Sequence, residues 1–409
     1  MRPGISKPGK FEVEIKSSGS IFPTHERTLT MKKILIASAV SAAFAAPSLA
    51  LAQAAKVPTL GQVLDASGIS VSGYIDAGYT HADRNVEGGI INPATGTPTG
   101  FAPRVFDNQN NSFALHQFGL SVSKLPKEGF GGLVNFTVGS DAQVIHSFPE
   151  AAGPGSSMFD VTQAYAQYAD GPLTLIAGKF TTLHGTEVIW SPSNNNISRS
   201  ILFGAVPFTH TGVRGTWALN DRVSFIAGVN NGWDQLTDAN RDKTIELGAT
   251  LNPIKPLNIS VSAYSGKEPA PTLAPTGSGT RTSINAVASY NITDLLSVGG
   301  ELLNVSQDVP AGGGATTSQK YTGAAGYASF MFTPKLRGAL RVENFDDKDG
   351  LHFGVAGTKY REVTATGAYL PTDNFEARAE VRRDQATNEV FSDASKSLTT
   401  IALQGIYKF

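Results

Sequence analysis

The sequence predicts an all-β protein, a transmembrane antiparallel β-barrel of about sixteen strands with short periplasmic turns and long extracellular loops. Three observations carry the prediction. Segments of about ten residues alternate apolar with polar side chains. The connectors between them take turns strictly, short then long. The chain stops on an aromatic residue, Phe409, at the end of an alternating stretch, Leu403 to Phe409. Short turns on one rim, long loops on the other and strands of ~10 residues are what an outer-membrane barrel requires.

Composition agrees. Charged residues are 16% of the chain, below the ~25% usual in soluble domains, and there are 43 glycines. Mean hydropathy is -0.09, and nothing after residue 52 approaches the ~18 apolar residues of a membrane helix. A bilayer is crossed only by helices or closed barrels, so a membrane protein lacking such helices must close a barrel. Cysteine is absent, which excludes disulfides and Cys-ligated metals. The formal net charge is -1, with no basic excess to attract nucleic acid. A soluble β-sandwich or β-helix would also alternate, but its connectors would not sort by length.

The chain reads in four parts. Residues 1–30 have no periodicity and look like a mis-called upstream extension, with Met31 the true initiator. Residues 31–52 form a secretory signal peptide: Met31-Lys32-Lys33 is basic, Ile34 to Ala46 is apolar, and Ala50-Leu51-Ala52 supplies small residues for cleavage. Cleavage after Ala52 is the first choice and after Ala54 the second. Residues 53–68 are a periplasmic leader, in which Leu60, Val63 and Leu64 line one face of a short helical turn or of a loose segment. The barrel takes residues 69–409.

Sixteen strands start near Ile69, Ser112, Phe130, Asp160, Leu173, Phe208, Arg222, Lys243, Leu257, Thr282, Leu295, Lys320, Lys335, Lys359, Asn374 and Ser397. An even count puts both ends on the periplasmic rim. The last strand sends Ile401, Leu403, Tyr407 and Phe409 one way and Thr400, Gln404 and Lys408 the other. Phe375, Ala377, Ala379 and Val381 should meet lipid, leaving Glu376, Arg378, Glu380 and Arg382 inside. Leu336, Leu340 and Val342 likewise oppose Arg337, Arg341 and Glu343. Tyr407 and Phe409 are the expected assembly signal, on the strand that should close against the first.

Several strings resemble a known family. Gly73 to Tyr79, Gln163-Ala164-Tyr165, Gly178 to Thr181 with Gly185-Thr186-Glu187, Asn194 to Ser200, Pro207 to Arg214 and Asn230 to Asp234 are similar to the OmpL-like β-barrel porin family (β-barrel porin-2). The resemblance spans essentially the whole mature chain. It implies a pore and brings no substrate and no catalytic residue.

The residues themselves suggest where function lies. Thr182 to Val206, between the fifth and sixth strands, is a long connector, and such loops are usually functional or disordered. Its apolar anchors (Trp190, Ile201, Leu202, Phe203 among them) favour a packed loop, either outside or folded into the lumen with Glu187 and Arg199. His210 and Arg214 share one inward face. Serines 191, 193, 198 and 200 are near His210 in sequence, but no G-x-S-x-G context supports nucleophilic chemistry. Asp238, Asn240 and Asp242 alternate oxygen side chains as a Ca²⁺ loop would, yet Lys243 stands where the EF-hand glycine belongs, so a solvated acidic loop is the simpler reading. Arg337, Arg341, Arg378 and Arg382 would make a basic wall offset by Glu343, Glu376 and Glu380, giving weak anion preference; alternatively these charges pair off and keep the lumen wet.

The sequence therefore points to an outer-membrane porin passing small hydrophilic solutes through a charged lumen narrowed by the third extracellular loop, without cofactors and without enzymatic activity. A surface barrel for adhesion or recognition, and an outer-membrane hydrolase, are the alternatives. Expected partners are outer-membrane lipid, lipopolysaccharide, the barrel-assembly machinery and the solutes. A homotrimer and a monomer both stay open.

Overall fold

A computed structural model describes residues 59–84, 104–107, 109–150, 152–153, 155–269, 278–310 and 315–409. The upstream extension, the signal peptide and the first part of the leader, residues 53–58, lie outside the described residues. The leader ends in a helix, α1 (Leu60–Ser67), opened by a reciprocal Thr59–Gln62 capping box and closed by Gly68 in the left-handed conformation.

Sixteen strands follow: β1 (Ser70–Ala82), β2 (Ser112–Lys124), β3 (Gly129–Val138), β4 (Phe159–Asp170), β5 (Leu173–Thr181), β6 (Thr209–Asn220), β7 (Val223–Asn230), β8 (Thr244–Leu251), β9 (Leu257–Pro269), β10 (Ser278–Asn291), β11 (Leu296–Pro310), β12 (Thr316–Thr333), β13 (Leu336–Asp347), β14 (Thr358–Thr372), β15 (Phe375–Ala386) and β16 (Ser397–Lys408). Each pairs antiparallel with its sequence neighbours, and β1 pairs with β16, so no sheet edge is left. The expected starts hold to within a residue except at β10 and β12, which begin four residues early, at Ser278 and Thr316. Those extra residues rise above the apolar band, where no lipid selects an outward apolar pattern.

Closure depends on the last residue. Gly73 and Phe409 exchange both backbone hydrogen bonds at 2.9 Å. The Phe409 ring lies across Gly73, where a Cβ would come within 2.5 Å of it. Glycine is needed at that crossing because a Cβ would meet the ring and would also stand 2.9 Å from the backbone oxygen of Gly119. Phe118 stacks on Phe409 at 6.2 Å, part of an aromatic rim that includes Tyr407 and Phe375.

The outer face carries the exposed apolar side chains, among them Val363, Val381, Ile401 and Leu403. The interior departs from a uniformly polar lining. Beside its buried charges it holds an apolar cluster in which Leu303, Val305, Tyr321, Phe345, Tyr360 and Leu398 from the strands meet Leu351, Phe353, Val390 and Phe391 from the last two extracellular loops. Alternation assigns side chains to a face, but what fills that face depends on loops distant in sequence.

Candidate functional site

The inner wall of β13, β14 and β15 is built in rows, because cross-strand register puts inward residues side by side. From the periplasmic end the rows are Arg337, Ala368 and Arg378; then Ala339, Thr366 and Glu380; then Arg341, Thr364 and Arg382; then Glu343, Glu362 and Asp384. Basic and acidic rows therefore alternate, two residues apart along each strand.

Each arginine meets a carboxylate. Arg341 lies 2.7 Å from Glu187 and 3.0 Å from Glu362. Arg382 lies 2.8 Å from Asp384. Arg378 is 2.7 Å from Glu376, whose same oxygen also takes Arg337. Arg104, in the first extracellular loop, adds contacts to Asp107 at 2.5 Å and Asp384 at 2.6 Å. Arg341 and Arg382 are fully buried. The four arginines of the expected basic wall are thus each paired with a carboxylate. Buried charges without partners would be far costlier than these pairs.

The third extracellular connector lies along these rows. Asn196 donates its side-chain amide to Thr366 at 2.7 Å. The amides of Ile197 and Ser198 donate to Glu380 at 2.6 and 3.0 Å. The carbonyl of Ser198 accepts from Arg341 at 2.8 Å, and that of Arg199 from Arg382 at 2.5 Å. The amides of Ile201 and Leu202 donate to Glu343 at 2.8 and 2.7 Å, opening a one-turn helix, α2 (Ile201–Gly204). Carboxylates take the loop's N–H groups and guanidiniums its carbonyls. Backbone groups buried away from water need such partners.

The same connector is bound elsewhere around the barrel. His184 sits between Ser262 at 2.7 Å and Ser283 at 2.8 Å. The amide of Gly185 donates to Asn285, and that of Thr186 to Glu301, both at 3.0 Å. Trp190 donates its indole N–H to Asn135 at 3.1 Å, and Gln117 donates to the carbonyl of Ile189 at 2.8 Å. Its partners are inward side chains of β2, β3 and β9 through β15, Tyr321 of β12 donating to the carbonyl of Ala205 at 2.7 Å.

The remaining sequence candidates fall as follows. Arg199 does not face the wall. It ties the loop to itself, donating to the carbonyls of Val188, Ile197 and Ile189 at 2.9 Å each, with its guanidinium 5.3 Å from the Phe106 ring centre. Arg214 binds Glu246 at 2.5 Å over the Phe180 ring. His210 bonds the carbonyl of Gly232 at 2.9 Å and stacks on Tyr264. Ser198 engages Arg341 and Ser200 caps Phe203, so neither is set against His210. In the fourth loop, Asp238 accepts the amides of Asn240 and Arg241 and is contacted by Lys243, while Asn240 accepts the amide of Asp242. Those oxygens close a turn instead of converging on a Ca²⁺, and an ammonium occupies the place a cation would take.

Alternation along strands revealed the wall arginines and their carboxylates. It missed Asp384, Arg104 and Asp107. Asp384 was legible, two residues from Arg382 on the same face; the Arg104–Asp107 pair sits in a loop with no period to betray it.

The family model of putative β-barrel porin-2, OmpL-like, matches residues 68–409. The chain belongs to this family. It is an outer-membrane porin, and its compartment is the bacterial outer membrane. Among solved structures, this porin is similar to the outer membrane channel DcaP of Acinetobacter baumannii, at 13% identity and TM-score 0.57, covering 83% of this chain and 97% of that one. It is also similar to OprB of Pseudomonas putida, at 12% identity and TM-score 0.59, covering 85% and 96%. A third is the outer membrane protein OmpT of Vibrio cholerae, at 12% identity and TM-score 0.55, covering 83% and 97%. At these identities the likeness is one of fold. No curated protein matches the chain.

Proposed function

We propose that the third extracellular loop sets the permeation path of this porin, leaving a constricted, charge-compensated passage for small hydrophilic solutes. One observation carries the reading: a single connector, residues 182–208, is hydrogen-bonded to inward side chains on strands around the barrel, with Glu343 and Glu380 holding four of its amides. A loop so held occupies lumen that a sixteen-strand barrel otherwise leaves as an aqueous channel. Glu187, Arg199, Arg341, Glu343, Arg378, Glu380 and Arg382 act in this reading by fixing the loop, Arg337 and Glu376 brace Arg378, and His210 and Arg214 are buried on the β6 side. Conduction is passive, and no catalytic step is assigned.

Planar-bilayer recording tests it. The purified porin should give ohmic channels, and Glu343→Ala with Glu380→Ala should raise single-channel conductance by freeing the loop. A liposome-swelling series with sugars, amino acids and dicarboxylates then ranks the solutes. Folded protein with no conductance would overturn the reading.

A further inference from the structure

The outer face of β13–β15 changes character sharply near its extracellular end. Descending β14, the outward side chains are Lys359, Arg361, Val363, Ala365, Gly367 and Tyr369, all exposed. On β15, Arg383 stands outward above Val381, and on β13 Asp346 and Asn344 stand above Val342. Register sets Val363 beside Arg383 and Arg361 beside Asn344, so Lys359, Arg361 and Arg383 form one patch. From Arg361 to Tyr369 the tilted strand covers roughly 20 Å, close to the ~25 Å apolar band of such barrels. The patch therefore sits where acyl chains give way to headgroups.

The patch keeps a positive excess, three basic side chains against one acid. Asp346 is its one acid, 3.4 Å from Lys359. Arg383 gives one N–H to Thr399 at 3.1 Å. Arg361 has no ion pair or hydrogen bond among the described residues. Across the barrel, at the extracellular ends of β7 and β8, the outward residues are Val229 and Ile245, and Lys267 on β9 is matched by Asp242 at 3.4 Å. Lys320 on β12 extends the row but lies beside Asp349, so it is left outside the patch.

We propose that Lys359, Arg361 and Arg383 bind the phosphate groups of lipid A in the outer leaflet, docking one lipopolysaccharide against β13–β15. The proposal rests on the outer-membrane placement of this porin and goes beyond its conduction. Guanidiniums pair phosphate oxygens in a planar, two-bonded geometry. The apolar strip of Val363, Val381 and Val342 directly below receives the acyl chains. The site is thus two-part, charged above and apolar beneath, and free phosphate satisfies only half of it.

Native mass spectrometry of the full-length porin in detergent tests this, with bis-phosphorylated lipid A, dephosphorylated lipid A and inorganic phosphate as probes. Wild type should retain phosphorylated lipid A and hold neither other probe comparably. Each charge removed should weaken retention about fivefold, so Lys359→Ala with Arg361→Ala and Arg383→Ala should abolish it, while Lys267→Ala changes nothing. A heat-modifiability gel shift establishes that the variants are folded, and Arg361→Ala alone should still show its fivefold loss should the triple variant fail to fold. Equal retention of phosphorylated and dephosphorylated lipid A, or an unweakened folded variant, would overturn the patch. Wild-type conductance is read separately, so a non-binding but conducting protein sinks this proposal alone.

Discussion

Glu187 of the third loop lies 2.7 Å from Arg341 of the β13 wall. The two are on the same side of the lumen, in contact, not facing each other across an open passage. The charge is spent on holding the loop, and the predictions below follow from that.

Removing Arg341 alone should be costly. Arg341→Met strips Glu187 and Glu362 of their common partner, and uncompensated buried charge typically costs about 3–5 kcal/mol. Arg341→Met with Glu362→Leu should recover much of that loss. Thermal unfolding of the refolded barrel measures both, and equal destabilisation would show that the pair is not coupled.

Selectivity should respond weakly to the wall. Because Arg341 and Arg378 are paired, Arg341→Ala with Arg378→Ala should raise conductance by loosening the loop more than it moves the reversal potential toward cations. A large cation shift at unchanged conductance would show instead that the basic wall sets selectivity.

Packing fixes α2 as well as charge does. A Cβ on Gly323 would stand 2.6 Å from the Leu202 side chain. Gly323→Val should therefore displace the loop and produce noisy, larger channels. Leu202→Ala, itself costing about 2–5 kcal/mol, should relieve that clash in the double variant. Quiet channels from Gly323→Val would argue against this seating.

Assembly should depend on the final residue. Deleting Phe409 removes the two hydrogen bonds to Gly73 and the ring over it. Outer-membrane levels should fall while export to the periplasm continues. Fractionation and immunoblotting read the result, and normal membrane levels would count against it.

Asp234 gives a pH test in the loops. Its carboxylate accepts the amides of Phe208 and Thr209 at 2.8 and 2.9 Å, and burial pushes it up to about 7. A raised carboxyl favours the folded state in its protonated form, so its contribution is largest at low pH and is lost as pH rises through about 7. The melting temperature of wild type relative to Asp234→Asn should fall between pH 5 and pH 8. A constant difference would show that Asp234 does not titrate in this range.

Much of this fold was legible because lipid imposes a strict rule: Val381 out, Arg382 in, for every strand that crosses. The arginines and glutamates of β13 and β15 were visible for the same reason. Their role was not, because it depends on Ile197, Ser198, Ile201 and Leu202 arriving from more than 140 residues away, and backbone amides leave no mark in a sequence. The apolar interior around Tyr321 and Phe345 was hidden likewise, since Leu351 and Phe391 reach it from loops without periodicity.

The seating of the loop can be fixed covalently, because the chain contains no cysteine of its own. Asn196 and Thr366 touch side chain to side chain at 2.7 Å. In the variant Asn196→Cys with Thr366→Cys, a short thiol–thiol cross-linker should join the two throughout the folded, membrane-inserted population, and single-channel conductance should be the same joined and unjoined. Failure of the link to form in folded protein, or a conductance that falls when it forms, would contradict a loop held on the β13–β15 wall.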